Sequence, residues 1–388
     1  MIFKSDFPNA PVVRMAIDGV AVDYTSVESL EISLNENEHD YASFTFTGLI
    51  PRAVTEYINR PVYISIAATP DRKTTFYGYV GFVEPEAITR RGHINNSPIQ
   101  RAHVVCFGTS YDMKEKHSTI WENISIPKLV STLANTYKYS YAVPEDLFMI
   151  PRLVQHNESD WATLVKACHM VGYRVTVSNS HIHVYDPFKT ISRSMPFAQL
   201  TTITDRIENT SYQPGRIMEF RGSFGQMTPD GSSNNFKVET LDNQGLLTTH
   251  TTESDSMGLG QVFQSRFTDT ISLNATSQET VTKYALATIK NRSPFHAHAV
   301  VTGLPEILPG SLVNLNGYDS KFDGFWMVSG IKHKVTRSNY VSELSIVRDS
   351  TNDSEPTVIS GNIYVRPDDP ILRQGTWIAA VQDGQTYV

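Results

Sequence analysis

The chain of 388 residues has room for roughly two to four domains of ordinary size, so one small fold does not account for it. Its 40 % hydrophobic and 19 % charged residues, with 18 Tyr, 18 Phe and 20 Pro, are the balance of an ordered β-rich chain and exclude a disordered one. A formal net charge of −7 argues against a protein that grips nucleic acid, and no stretch approaches the ~20 apolar residues that a membrane-spanning helix needs.

Met1 to Pro8 lacks a basic segment leading into an apolar run, so no secretory signal is expected there. The first 115 or so residues alternate with the two-residue period of strands that bury one face. Val13, Met15 and Ile17 alternate with Arg14, Ala16 and Asp18, and Leu30, Ile32 and Leu34 with Glu31, Ser33 and Asn35. Ala42, Phe44 and Phe46 continue the pattern. Val62, Ile64 and Ile66 lead through Thr69-Pro70-Asp71 into Phe76, Gly78 and Val80, which reads as a hairpin, and Ala102 to Phe107 supplies a further strand. This run predicts a first β-barrel over 1–117.

The period then changes. Ile126, Leu129, Val130, Leu133, Ala134 and Tyr137 form one helical stripe with Ser125 as N-cap. After a loop containing Pro144 and Pro151, a second helix from about Asp160 to Met170 presents Trp161, Leu164, Val165 and Cys168, with Gly172 positioned to end it. Arg174 to Val177 and His181 to Tyr185 read as a hairpin, giving an α+β insert over 118–200.

Alternation resumes near Thr201, with strands at Ile217 to Phe220, at Phe236 and Val238, and after a turn at Asp242 to Gly245. Thr276 and Glu279 form a capping pattern ahead of a helix carrying Val281, Tyr284, Ala285 and Thr288. Leu312 to Leu315, Phe325 to Val328, Ile331 to Val335 and Tyr340 to Val347 complete a second β unit over 201–348. Residues Asp349 to Pro356 read as a linker, and 349–388 as an extension that docks on its own chain or a neighbour. The expected fold class is mainly β with an α+β insert: two similar β-barrel tube-type domains flanking a small helical and hairpin domain.

Chemistry-bearing residues have bland explanations. Cys106 and Cys168 sit in apolar patterns and read as buried thiols, with no CxxC. His181 and His183 share a strand face, as do His296 and His298, but neither pair is accompanied by the further ligands zinc needs, so both read as polar surface or interface histidines. His169 and Cys168 diverge on their helix. Gly108 to Asp112 lacks the closing glycine of a nucleophile elbow, and Gly222 to Gly225 and Gly258 to Gly260 are too short to cradle phosphate. Arg90-Arg91 and Lys114 to Lys116 read as solvated faces. Of the many unplaced carboxylates, Glu158 and Asp160 can be proposed as the pair a cell-wall glycosidase requires, yet a helix start explains both.

The segment Gln155-His156-Asn157-Glu158-Ser159-Asp160-Trp161-Ala162-Thr163-Leu164, closing with Gly172-Tyr173, resembles one that recurs in phage hub proteins as Q-x-x-E-S-D-W-x-F-L to G-Y. A second stretch, Leu304 to Val313 with Pro309-Gly310, is followed by Gly324 to Val328 with Trp326 and by Ile331-Lys332-His333; it is similar to the proline-glycine turn and strands of the same proteins. The family is that of the baseplate hub of contractile phage tails, the late control D proteins and the hub portion of type VI secretion spikes. The similarity spans about 8–348; Thr163 departs from the aromatic residue of many relatives, and nothing after Asp349 matches.

The resemblance implies a non-enzymatic structural subunit with no cofactor, in which Glu158, Ser159, Asp160, Trp161, Leu164, Gly172, Tyr173, Pro309, Gly310, Trp326 and His333 are structural residues. It implies a homotrimer closing a pseudo-six-fold ring. Expected partners are a tail tube or distal tail ring protein, the central spike, the tape-measure protein and baseplate wedge, with genomic DNA only in transit. The expected place is the virion tail baseplate or tip, after assembly in the host bacterial cytoplasm. The rival readings are a tail-tip enzyme that degrades cell wall and a receptor- or carbohydrate-binding tip protein.

Overall fold

The computed structural model describes residues 11–22, 27–47, 56–67, 73–88, 99–187, 189–191, 197–201, 215–224, 235–241, 247–253, 268–273, 295–318, 322–336, 339–348, 357–359 and 361–364, with positions 280, 283, 284 and 287. Thr276, Glu279, Val281, Ala285 and Thr288 of the capped helix lie outside the described residues. So do the turns at Thr69 to Asp71 and Asp242 to Gly245, Arg90-Arg91, Gly225, Gly258 to Gly260, the Asp349 to Pro356 linker and 365–388.

The first strand group comprises β1 (Val12–Ile17), β2 (Val20–Ala21), β3 (Val27–Asn35), β4 (Tyr41–Thr47), β5 (Pro61–Ala67), β6 (Lys73–Ile88) and β7 (Ile99–Gly108). Alternation sets their faces: Ala42, Phe44 and Phe46 of β4 and Val13, Met15 and Ile17 of β1 point into the core, while their neighbours are only partly covered.

The insert follows as β8 (Lys116–Ile124), α1 (Ile126–Tyr137), β9 (Ser140–Pro144), β10 (Ile150–Ser159), α2 (Asp160–Val171), β11 (Arg174–Ser178), β12 (His181–Tyr185) and β13 (Lys189–Ile191). Helix α1 starts where Ser125 Oγ accepts the Lys128 N–H at 3.4 Å, and buries Ile126, Leu129, Val130, Leu133 and Ala134. The segment expected as a loop around Pro144 and Pro151 instead forms β9 and β10. Pro144 ends β9, and Pro151 falls between paired positions of β10, which among the described residues pairs with β8 alone, so its missing N–H leaves that ladder intact.

The second group is β14 (Phe197–Thr201), β15 (Ile217–Phe224), β16 (Asn235–Leu241), β17 (Leu247–Glu253), β18 (Thr268–Leu273), β19 (Phe295–Thr302), β20 (Leu312–Asn316), β21 (Gly324–Thr336) and β22 (Tyr340–Arg348). Strands β16 to β18 make a separate sheet. The strands expected at Phe325 to Val328 and Ile331 to Val335 are one strand, β21, bent by a bulge between Val328 and Gly330. The tail adds β23 (Thr357–Ile359), parallel to β13, and β24 (Gly361–Tyr364), antiparallel to β9, so this part of the extension docks on the insert of its own chain.

Apart from β16 to β18, both groups belong to one 13-stranded sheet. In the first group the lateral order is β1-β5-β6-β7-β4-β3, and in the second β14-β20-β21-β22-β19-β15. Taken in chain order, the two sets of strands occupy the same six positions. The one difference is that β1 meets β5 antiparallel whereas β14 meets β20 parallel. The register repeats too. The row Ile32–Ala42–Cys106–Val80 has its counterpart in Gly222–Ala297–Ile346–Val328. On that alignment both bulges coincide: Glu28 is the extra residue of β3 where Met218 is that of β15, and Gly81 is the extra residue of β6 where Ser329 is that of β21.

The turns entering β5 and β20 match as well. Val80 N–H donates to Arg60 O and its C=O accepts from Asn59, just as Val328 donates to Ser311 O and accepts from Gly310. Asn59 and Gly310 both take left-handed backbone, with φ of 62° and 86°. A bulge leaves a residue out of the ladder, so two coincident bulges are a specific sign of one backbone plan used twice.

The groups meet where β21 pairs antiparallel with β3, from Gly330↔Asn35 to Thr336↔Ser29. On one face of this junction Ile331, His333 and Val335 lie opposite Leu34, Ile32 and Leu30, all buried, which merges the two interiors into one apolar core. The insert keeps its own core around α1, α2 and β9 to β12.

Candidate assembly surface

Helix α2 carries the first hub-like segment. Ser159 Oγ accepts the Ala162 N–H at 3.1 Å, closing the first turn, while Asp160 adds a negative charge at the positive end of the helix. The Asp160 carboxylate is occupied: Gln155 Nε2 donates to Oδ1 at 2.9 Å and Tyr137 Oη to Oδ2 at 2.7 Å. Glu158 sits 3.3 Å from Lys166 Nζ on the surface. Asp160 thus lies in the first turn of α2, whereas Glu158 precedes the cap at the end of β10 and pairs with Lys166. Ser159→Ala is expected to cost about 1 kcal/mol, read as a shift of the urea midpoint with an unchanged slope.

Trp161 is buried against His39 of the β3–β4 turn, with ring centroids 5.2 Å apart, so the tryptophan anchors the helix to the first strand group. Leu164 lies in the insert core. Gly172, with φ of 81°, ends the helix by donating its N–H to carbonyls of the last turn. Tyr173 Oη then donates to Asp146 Oδ2 at 2.7 Å, and Lys283 from the second group reaches the same oxygen at 2.7 Å. Burial pulls the Asp146 carboxyl upward, but hydrogen bonds from Lys283, the Phe148 N–H and Tyr173 outweigh it and hold the group below its ordinary range.

The β11–β12 hairpin clamps the insert to the first group. Ser178 Oγ is hydrogen-bonded to Asp40, Asn179 Nδ2 donates to Thr75 O at 2.9 Å, and Asn179 Oδ1 accepts the Tyr77 N–H at 2.8 Å. Tyr185 Oη donates to Glu36 at 2.8 Å. Sequence periodicity gives no hint of these contacts, because they join residues more than 100 positions apart.

His181 and His183 are not surface histidines. They lie on the hairpin face that carries Ser178 and Tyr185 and are buried, because the first group covers that face. Burial lowers His181 to about 3 and His183 well below its ordinary value, so both are neutral. Among the described residues no group of three or more His, Cys, Asp or Glu gathers as metal ligands. His296 and His298 are exposed on β19. Cys106 and Cys168 are buried free thiols.

The second hub-like stretch shapes the other group. Pro309-Gly310 makes the turn into β20, with the Gly310 N–H donating to Val328 O at 2.6 Å. Trp326 is 1 % exposed; its Nε1 donates to Phe322 O at 2.8 Å and Arg348 lies 4.4 Å over its ring. His333 is fully buried at the junction, hydrogen-bonded to Ser342 and Tyr340 at 3.1 Å each, and burial lowers it to about 3.

Among the strand edges that lack a partner strand in the described residues, two lie at matching places of the repeated plan. One is the outer side of β15, bonded only to β19; the other is the part of β6 from Phe82 onward, bonded only to β7 because β5 ends its pairing at Tyr79. Met218 beside the first and Phe82 on the second are 54 % and 42 % exposed. Open edges of this kind are templates for another strand.

No protein-family model and no curated protein sequence matches the chain. Solved structures do. A tail protein from Neisseria meningitidis aligns over 89 % of this chain and 100 % of its own, with a TM-score of 0.65 at 13 % identity. A 43 kDa prophage tail protein from Shewanella oneidensis aligns over 89 % and 99 %, with 0.61 at 11 %. An Escherichia coli component of the type VI secretion system, described as similar in structure to bacteriophage T4 tail proteins, aligns over 89 % and 80 %, with 0.55 at 11 %. Mainly β, with short helices among the described residues, the chain has the fold of these tail and type VI secretion proteins.

Proposed function

We propose that the chain is a structural hub subunit of a phage tail baseplate or tip, three copies of which close a pseudo-six-fold ring that joins the tail tube to the central spike and leaves a channel for DNA. The observation that carries this reading is the repeated strand plan with its coincident bulges and the sheet that runs from one copy of the plan into the next. A part that must match six-fold tube rings on one side and a three-fold spike on the other is served by three chains bearing two copies each. The reading assigns the ring units to 1–117 and 201–348, the clamp to 118–200 and a docking extension to 349–388. Glu158, Ser159, Asp160, Trp161, Leu164, Gly172 and Tyr173 hold the clamp, and Pro309, Gly310, Trp326 and His333 hold the second unit. The net charge of −7 suits a channel that lets DNA slide without adhering.

The mass of the purified protein, measured alone and with tail-tube and spike proteins of the same particle, tests the ring. Three copies per complex are expected, with no release of fragments from peptidoglycan. A complex with tube and spike holding one or two copies, or turnover of cell wall, contradicts the reading.

A further inference from the structure

The internal junction and the two open edges are related by the repeat. Pairing of β21 with β3 brings the part of β21 after its bulge against the outer strand of the other unit. On the alignment fixed by the bulges, Gly330 to Thr336 correspond to Phe82 to Ile88 of β6, and Ser29 to Leu34 correspond to Glu219 to Phe224 of β15. These counterparts are two of the edges without a partner strand among the described residues. We infer that β6 of one chain pairs with β15 of a second copy in the register of the internal junction, placing Val83 opposite Phe224, Glu84 opposite Ser223 and Glu86 opposite Arg221. This rests on the ring reading above and names the contact by which the ring closes.

Charge supports it independently. At the internal junction β21 contributes Lys332 and Lys334, and β3 contributes Glu31; Lys332 Nζ lies 3.2 Å from Glu31 and Lys334 is directly opposite it. At the matching positions β6 carries Glu84 and Glu86, and β15 carries Arg221. Both junctions thus set a pair of like charges on the long strand against an opposite charge on the outer strand, with the signs exchanged; β15 also carries Glu219, at the position of Ser29, in an ion pair with Arg221. The Arg221 side chain is 78 % exposed and, among the described residues, its ion pair is local, with Glu219, so it is accessible to a second chain.

The exchange also sorts partners. A β21 edge meeting β15 would set lysines against arginine, and a β6 edge meeting β3 would set glutamates against glutamate, so each edge repels the wrong one. The other face of the new junction would carry Val83 and Pro85 against Phe220 and Gly222, apolar or small residues. Pro85, at the position of His333, supplies no N–H, so this junction has one donor fewer than the internal one. That makes it the weaker seam, in keeping with one that forms on assembly.

The test uses full-length chains. Glu84→Cys and Ser223→Cys variants, mixed and oxidised, are expected to yield a disulfide-linked dimer of one of each, because directly opposed Cβ atoms lie about 4.5–5.5 Å apart. Each variant alone should give none through its native thiols, since burial pushes both Cys106 and Cys168 up and keeps them inert. Arg221→Glu is expected to weaken assembly roughly tenfold, and Glu84→Arg with Glu86→Arg to restore it. Three-copy rings that neither cross-link nor respond to Arg221→Glu would overturn this seam and leave the ring reading standing. Wild-type chains that form no ring with tube and spike, with no cross-link, would overturn both.

Discussion

Trp326→Ala is expected to destabilise the protein by about 3–5 kcal/mol, the range for emptying a large aromatic site in a packed core. The indole lies within an aromatic cluster: Phe220 is 6.4 Å from it between ring centroids and also packs on Tyr318 and Phe322. Removal empties that volume, strips the Arg348 guanidinium of the ring beneath it, and leaves Phe322 O without the Nε1–H. Because Phe220 belongs to β15, the loss also loosens the strand proposed to meet the next chain. Trp326→Phe keeps most of the volume and should cost about 1–2 kcal/mol. Urea denaturation of both variants checks this. A Trp326→Ala midpoint within experimental error of wild type would contradict the cluster's role.

The second large effect is a dependence on pH that one residue controls. Burial pushes the Asp40 carboxyl up to about 7 from 3.8, although hydrogen bonds from Ser178 and the Asn35 backbone favour its ionised form. Between those values the folded chain keeps a proton that the unfolded chain has released. Stability contributed by this group is therefore lost as pH rises from about 4 to about 7 and is constant above, at about 1.4 kcal/mol per unit and roughly 4 kcal/mol in all.

The buried histidines act in the opposite sense. His181, His183 and His333 are held below their ordinary value, so the unfolded chain takes up their protons first and their contribution is lost as pH falls below about 6.5. The wild-type profile is the sum of both trends. Subtracting it from the profile of Asp40→Asn isolates the carboxyl. The difference in melting temperature should climb in favour of the asparagine variant between pH 4 and pH 7 and then level off. A difference that does not vary with pH would mean that Asp40 is ionised in the fold.

Much of the architecture is legible in the sequence because burial imposes a period. Val13, Met15 and Ile17, and Ala42, Phe44 and Phe46, each have a single covered face, and alternation identifies them. The α1 stripe and the caps at Ser125 and Ser159 are equally local signals. The β8–β10 ribbon escapes this logic. Ile120 and Val154 pair across it and are 54 % and 41 % exposed, so no apolar face alternates with a polar one and the prolines suggest a loop. His181 and His183 escape it for the converse reason. Both faces of their strand are covered, one by the helices and the other by a unit distant in sequence.

The repeat is hidden for a further reason. What the two groups share is strand order and the placement of unpaired residues, and the bulge positions hold residues of different types, Glu28 and Met218, Gly81 and Ser329. At the β21–β3 junction and at the matching positions of the open edges the corresponding residues are of opposite charge, Glu31 for Arg221 and Lys332 for Glu84, which erases identity where the strand position is the same. The hub-like segments were legible, yet their contacts were not. Trp161 and Gly172 announce a capped helix, while the meeting of Trp161 with His39 across the insert boundary needs the fold.

The central claim is that each chain supplies two equivalent units to one ring. A cryo-microscopy reconstruction of the assembled protein, computed without imposed symmetry, tests it most directly. The account expects six similar lobes about an open axis, alternating between the β1–β7 and β14–β22 units and joined by continuous sheet at every step. Lobes from one unit only, or the two units stacked along the axis and not side by side around it, would contradict it.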